Sequence, residues 1–308
     1  MSDIDSELLQ RFETGLDPQD LGSSAIPAKL IGFGEISAIF QIGDDRSRAY
    51  KRMPLFKSVS EAEKYAAMYH EYCRQLTLAG LTLPESSTHI VDLPHRPVVL
   101  YIAQAQLPGD RIAHRLIQNL DTDDFTTLLK KILRPMSRFW KYNRSQQPDL
   151  ELAIDGQISN WALVVDDSTE TLYYIDTSTP FIRKNSVEQL DPELLLLAAP
   201  SFLRWLVRWL FVDDVMTRYY DPRQVLIDLA ANLIKEQRRD LVAPAVDLIN
   251  DHLPDDLQPV TIKDVDHYYR EDKLIWSIFL GLRRFDRFIT TCIFRRRYEF
   301  ILPGKIKR

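Results

Sequence analysis

The most constraining feature of the chain is a change of period partway along it. From Leu30 the sequence reads LIGFGEISAIFQIGDDRSRAYKRM, an alternation of apolar and polar residues broken by Gly, Asp-Asp and Ser where turns would fall. That pattern predicts a hairpin and a third strand over residues 29–53. Residues 58–78 then repeat at helical spacing, with Tyr65, Tyr69, Tyr72 and Leu76 forming a buried stripe. Ser60 and Glu63 are read as the capping box of this helix, and Gly80 as its end. Two further strands are expected at residues 89–93 and 97–106, followed by a Pro108-Gly109 turn. Beyond that turn the period is mostly helical. A long helix spans 122–143, with Pro135 inside it, and three short strands are expected at 152–154, 161–165 and 171–175. About five helical segments then run from 192 to 292, separated by prolines. A β-rich lobe with one helix followed by a larger helical lobe is an α+β fold in two lobes, with a cleft between them. The boundaries read as 1–28 for an N-terminal helical extension, 29–107 for the first lobe and 108–308 for the second.

Composition narrows the function classes. A chain of 308 residues is long for a single core, and two subdomains or two domains are the natural expectation. The net charge of −5 gives no reason to expect nucleic acid. The only cysteines, Cys73 and Cys292, have neither disulfide-framework nor metal spacing. The acidic, helix-like start has no basic segment followed by an apolar one, so no signal peptide is expected. The longest apolar stretch, 202–215, is interrupted by Arg204 and Arg208 and reads as an amphipathic helix, too short and too charged to span a bilayer. A cytoplasmic protein without a transmembrane segment is the expectation.

Several residues fall where such a cleft would be. In IDGQISNWALVVDD, Asp155 lies five residues before Asn160, and in YYIDTSTP Asp176 follows at the end of another strand-like run. All three side chains are short oxygen donors on loops flanking short strands. The first lobe supplies a complement. Gly32 and Gly34 sit in a strand-turn-strand where small residues let backbone N–H groups approach a phosphate. Lys51 stands near the end of the next strand, and Glu71 is in mid-helix, with Glu61 and Glu63 as alternatives for the same role. Each residue alone has an ordinary reading: a hairpin turn, a solvated lysine, a helix-surface glutamate, an Asp-Gly turn. Their shared order is what suggests a nucleotide and magnesium, since Mg2+ prefers carboxylate and amide oxygens.

With those residues in this order, the chain resembles the protein-kinase-like superfamily, and most closely its aminoglycoside and choline phosphotransferase branch. AID-GQIS-N keeps the branch's Asp-to-Asn spacing, and YIDTSTP is similar to its metal-binding segment. EYCRQLTLAGLTLPES resembles the branch's helix glutamate and the loop that follows it. VVLYIAQAQLPGDRI resembles its linker strand. The likeness spans roughly residues 29–185. It implies an ATP- and Mg2+-dependent phosphotransferase acting on a hydroxyl acceptor, more often a small molecule than a protein. By the same likeness Asp155 would be the catalytic base or orienter, and Asn160 and Asp176 would hold magnesium. Lys51 would hold the phosphates and Glu71 would hold Lys51. Residues 104–107, with Gln104 and Gln106, would meet the adenine through backbone groups.

The chain departs from the pattern at three places. Ser37 stands for the third glycine, Asp-Thr-Ser for the Asp-Phe-Gly segment, and Ala153-Ile154 for the two residues before the catalytic Asp. The last departure removes a residue that braces the catalytic loop, so a pseudokinase serving as a nucleotide-binding or interaction module is the alternative. Residues 283–308 hold nine Lys or Arg, with Phe285, Phe288, Ile289, Ile293 and Phe294 interleaved. They read as a helix packed on the second lobe with its charges outward. Two readings of those charges stay open, pairing with the chain's own acids such as Asp255, Asp256 or Glu271, and docking of an anionic partner or lipid surface.

Overall fold

The computed structural model describes residues 5–34, 37–167, 169–191, 193–194, 217–254 and 256–304. The amphipathic helix expected over 202–215, Asp255, and Lys305, Lys307 and Arg308 lie outside the described residues. Strands β1 (Ala28–Phe33), β2 (Ala38–Ile42), β3 (Arg48–Phe56), β4 (Ser86–Val91) and β5 (Val98–Ala105) form one antiparallel sheet in the order β1-β2-β3-β5-β4. Helix α2 (Val59–Leu78) joins β3 to β4 and covers one face through Tyr65, Tyr69 and the sheet residues Met53, Leu100 and Ile102. Helix α1 (Ser6–Gly15) covers the other face, where Leu9 and Phe12 meet Phe40, Tyr50 and Tyr101. A strand's side chains alternate between faces. Within β3, Tyr50 and Arg52 therefore face α1, while Lys51 and Met53 share the opposite face. The expected stripe on α2 is buried, and the helix stops before Gly80, which has φ +90°. Its start differs from the expectation. Ser58 has extended backbone and accepts from the Glu61 N–H at 3.2 Å, while the Glu61 carboxylate accepts from the Lys57 N–H at 2.9 Å. The helix therefore begins a half-turn earlier, and Ser60 and Glu63 do not cap it.

The second lobe is built on α4 (Thr122–Gln146), reached through the short α3 (Ala113–Leu116). Phe125, Leu128, Leu129, Ile132, Leu133, Met136, Phe139 and Trp140 recur on one broad side of α4 and are buried. They pack with α5 (Pro222–Lys235) and α6 (Val242–Asn250) in one core, to which α7 (Ile262–Phe288) contributes Val265. Strand β6 (Leu150–Leu152) pairs with β9 (Ile182–Lys184), which pairs with β10 (Val187–Glu188). Strands β7 (Trp161–Asp166) and β8 (Thr169–Tyr174) form a hairpin of their own. This is a two-lobed α+β arrangement: a small sheet lobe with one crossover helix, then a larger, mainly helical lobe. Among the described residues no helix is long and apolar enough to cross a membrane.

The chain's end does not stay with the second lobe. Past α7 the backbone returns to the outer face of the small sheet, where Gln19 Nε2 donates to Tyr298 O at 3.1 Å and to Phe300 O at 3.2 Å. Arg52 Nη1 donates to Glu299 O at 2.7 Å. The expected helix with outward cations is corrected accordingly. Arg283 is buried, Arg284 donates to Gly304 O, and Arg297 donates to Leu16 O and to Glu299 Oε1. Much of the basic C-terminus is thus committed to the chain's own tail, and Arg295 and Arg296 remain exposed.

Candidate active site

The β7–β8 hairpin sets the centre of the site. Trp161 faces Tyr174 across the ladder, and one step further the Ile175 N–H donates to Asn160 O at 2.9 Å. Asn160 and Asp176 are therefore neighbours at the open end of one hairpin, although sixteen residues separate them in sequence. Asn160 Nδ2 donates to Asp155 O at 3.2 Å, which brings the Asp155 loop against the same end. From the opposite lobe, Lys51 Nζ donates to Ile175 O at 3.0 Å and stands 3.7 Å from Asp176 Oδ1. Gln104 Nε2 donates to the same Ile175 carbonyl at 3.2 Å. The structure thus brings Lys51, Gln104, Asp155, Asn160 and Asp176 together across the cleft.

Glu71 is not among them. Its carboxylate accepts from Arg74 Nη2 at 2.8 Å, Arg74 Nε at 2.9 Å and Gln75 Nε2 at 2.9 Å, and the Arg74 hydrogen bond holds its carboxyl down to about 2. Glu61 caps α2 and Glu63 is exposed, so neither takes its place. The reason is helical phase. Successive residues on a helix point about 100° apart, and the face of α2 turned to the cleft belongs to the tyrosine stripe. Tyr65 Oη donates to Ser178 O at 2.7 Å, Tyr69 Oη to Ser86 Oγ at 2.7 Å, and Tyr72 Oη to Ala153 O at 2.6 Å. Lys51 pairs with Asp176 instead of a helix glutamate.

The same stripe answers the missing brace at Ala153-Ile154. Tyr72 holds Ala153 O from α2. The Asp155 N–H donates to Tyr174 Oη on β8 at 3.2 Å. Asn143 on α4 clips Leu152 at both ends, with Nδ2 donating to Leu152 O at 2.9 Å and Oδ1 accepting from Leu152 N at 2.8 Å. Burial, and then the charge of Asp176, pushes the Tyr72 phenol well above its usual range, so it remains a donor at neutral pH. The expected weak point of the loop is fixed by three residues that carry no motif. The periodicity of Tyr72 was legible in the sequence, and its hydroxyl partner was not. Replacing Tyr72 by Phe keeps the ring and leaves a buried carbonyl without its donor. The expected loss is about 1–3 kcal/mol of unfolding free energy, read by urea denaturation. An unchanged midpoint would show that the bond does not brace the loop.

The glycine turn expected to meet phosphate is less complete. Gly32 lies at a register shift between β1 and β2. A Cβ on Gly34 would fall 2.5 Å from Ser37 Oγ, and the Gly34 N–H donates to Ser37 O at 2.9 Å. That clash is with a hydroxyl that can rotate away, so the turn tolerates Gly34 without requiring it, and residues 35 and 36 lie outside the described residues. The linker's backbone donors are partly engaged. The Ala105 N–H donates to Glu85 O at 2.8 Å and the Gln106 N–H to Ser47 O at 2.7 Å, so these backbone donors are spent inside the sheet. Gln104 enters the site through its side chain. Gln106 Nε2 donates to Leu107 O, and Gln106 Oε1 is buried without a partner.

The donor set fits magnesium. Asn160 and Asp176 offer one amide and one carboxylate oxygen. Among the described residues no group of three or more His, Cys, Asp or Glu could hold a metal unaided. A magnesium ion is commonly bound by few protein ligands, with phosphates and water completing its shell. Asp155 is half-buried. Burial, and then the charges of Asp228 and Asp176, push its carboxyl well above the usual carboxylate range, while the Gln157 N–H and Lys235 oppose that shift. A carboxylate poised in that direction suits proton acceptance from a hydroxyl better than an ordinary surface Asp.

Residues 34–287 match a protein family described as "Family of unknown function (DUF6206)", and the chain belongs to that family. No curated protein matches it. Among solved structures it is similar to "WaaP in complex with acyl carrier protein", at 17% identity over 78% of this chain and 97% of that one, with a TM-score of 0.33. It is also similar to the PknI kinase domain of Mycobacterium tuberculosis (C20A_R136N double mutant), at 14% identity over 82% of this chain and 86% of that one, with a TM-score of 0.35. Likeness this loose carries no residue role from either protein to this chain.

Proposed function

We propose that this member of the DUF6206 family is an ATP- and Mg2+-dependent phosphotransferase acting on a hydroxyl acceptor, close in kind to the small-molecule branch of the kinase-like proteins. The observation that carries the reading is the convergence of Lys51 from one lobe with Asp155, Asn160 and Asp176 from the other. Lys51 would bind the nucleotide phosphates, with Gln104 beside it. Asn160 and Asp176 would hold magnesium, which supplies neutralisation of phosphate charge when bound. Asp155 would orient the acceptor hydroxyl and take its proton. Catalysis of this type is mostly positioning and charge neutralisation.

A small acceptor is favoured by a cavity of about 400 Å³ between the N-terminal ends of α5 and α7, lined by Arg218, Asp221, Arg223, Asp264, Tyr268 and Glu271. Burial and then the charges of Asp228 and Asp155 hold the Tyr268 phenol up. A pseudokinase is the second reading, and one contact favours it: Lys51 already faces Asp176, the carboxylate that would meet the metal.

Addition of Mg·ATP is expected to raise the melting temperature, because a ligand that binds only the folded state stabilises it, by about 2.7 kcal/mol at a hundredfold excess over Kd. Lys51→Met and Asp176→Asn should each remove most of the shift. Melting that does not respond to millimolar Mg·ATP would sink the nucleotide site. A normal shift without transfer or hydrolysis would favour the pseudokinase.

A further inference from the structure

Helix α5 is buried almost all round, with Val225, Leu226, Ile227, Leu229, Ala230, Leu233 and Ile234 in the core. A helix in that setting is usually apolar on every side. Yet Asp228 is only 6% exposed and Asn232 only 2%. With the half-buried Lys235 they form a polar stripe at i, i+4 and i+7, one face of the helix. Burying such groups costs free energy unless they are partnered, and leucine would serve the packing at lower cost. Their common partner is one side chain, Gln157. Gln157 Nε2 donates to Asp228 Oδ2 at 3.1 Å. Gln157 Oε1 accepts from Asn232 Nδ2 at 3.3 Å and from Lys235 Nζ at 3.1 Å. An acid on one side and a base on the other leave the amide a single orientation. The Gln157 N–H in turn donates to Asp155 Oδ1 at 3.0 Å. Between the two residues, Gly156 lies so close to its neighbours that a Cβ would fall 2.5 Å from Val225 Cγ1 on α5 and 2.8 Å from Met136 Cε on α4.

We propose that α5 is a rack for the catalytic loop, in which Asp228, Asn232 and Lys235 are positioning residues that clamp the Gln157 amide and through its backbone N–H set the Asp155 carboxylate. The proposal rests on the reading of Asp155 as the group that orients the acceptor hydroxyl. It adds residues that no spacing or motif in the sequence assigns to the site.

The rack responds to pH near neutrality. Burial, and then the charge of Asp272 on α7, pushes the Asp228 carboxyl up to about 7, against Lys235 and the hydrogen bonds from Gln157 and Tyr268. The charged and titratable groups around Asp228 are thus Asp272 and Tyr268 from α7, Lys235 from α5, and Asp155 from the loop. When ionised, Asp228 is an acceptor only and holds Gln157 Nε2 firmly. When protonated it is a weaker acceptor, and the clamp on the amide relaxes.

The test uses the 15N-labelled 308-residue chain. The backbone and side-chain amide resonances of Gln157 are expected to move together through a midpoint near 7, the value to which the Asp228 carboxyl is pushed. Asp228→Asn should abolish the movement of the side-chain amide, the part that faces Asp228, while the backbone N–H still follows Asp155. Lys235→Met, at a half-buried position, should raise the midpoint, because the cation that favours ionised Asp228 is gone, and it serves if Asp228→Asn does not fold. Under the phosphotransfer reading, Gln157→Leu should also lower turnover by about tenfold or more with the Mg·ATP melting shift retained. A Gln157 side-chain amide that does not titrate, or that titrates unchanged in both variants, overturns the rack. Wild-type protein without turnover overturns the phosphotransfer reading, and the amide titration still decides the rack separately.

Discussion

Asp155→Asn is expected to lower phosphotransfer by about 10²–10⁴-fold while Mg·ATP still raises the melting temperature as in the wild type. The substitution keeps the size and removes the proton-accepting charge. Asp155 Oδ1 accepts from the Gln157 N–H at 3.0 Å, and the carbonyl of the same residue accepts from Asn160 Nδ2 at 3.2 Å. The loop is also held by Tyr72, Tyr174 and Asn143, so the variant should fold. Nucleotide contacts are assigned to Lys51, Asn160 and Asp176, so affinity for Mg·ATP should change little. Single-turnover transfer from labelled ATP to a panel of hydroxyl compounds, or background ATP hydrolysis, measures the rate. A variant as fast as the wild type would remove Asp155 from the chemistry.

The largest expected effect on stability is at Glu13. Its carboxylate is fully buried and is held by Arg52 in a two-pronged pair, Nε to Oε2 at 2.7 Å and Nη2 to Oε1 at 2.7 Å. Arg96 and Tyr101 also donate to it, and Glu299 from the chain's end shares Arg52 Nη2 at 2.9 Å. Removing one member of such a group leaves an uncompensated buried charge, a cost of about 3–5 kcal/mol. Glu13→Ala is expected to lose that much in urea denaturation at neutral pH. A loss below about 1 kcal/mol, the usual range of exposed pairs, would show that the cluster does not hold the small lobe. Burial alone would raise the Glu13 carboxyl, but the hydrogen bond and charge of Arg52, with Tyr101 and Arg96, outweigh it and leave the group lowered from 4.5. A carboxyl lowered on folding contributes stability that is complete above its unfolded value and is lost as pH falls through the folded one. The gap between wild type and variant should therefore narrow below about pH 4.5.

Glu13 also shows where reading the sequence stops. Arg52 follows Lys51 on β3 and looks like its equal in a basic triplet, and the strand's alternation sends the two to opposite faces. One enters the cleft, and the other is sealed between α1 and a segment 247 residues further along the chain. Lys51 was legible because a lysine on that strand, ahead of a helix and before Asp155 and Asn160, is a local and ordered pattern. Its partner was not, because a helix turns by about 100° per residue, and one residue decides whether Glu71 or Tyr72 meets the loop.

The sequence by itself determined the order of strands and helices, the burial of the α2 stripe, and the spacing that puts Asp155, Asn160 and Asp176 at strand ends. These follow from backbone periodicity and turn chemistry, which act over a few residues. Only the tertiary structure decided that Lys51 faces Asp176, that Tyr72 and Tyr174 replace the missing brace, and that Asp228 and Lys235 hold Gln157 from a helix about seventy residues away. Those contacts depend on how whole elements are rotated and docked against one another. Packing of a common core fixes that rotation, and hydrogen-bond partners chosen this way leave no spacing for a sequence pattern to record.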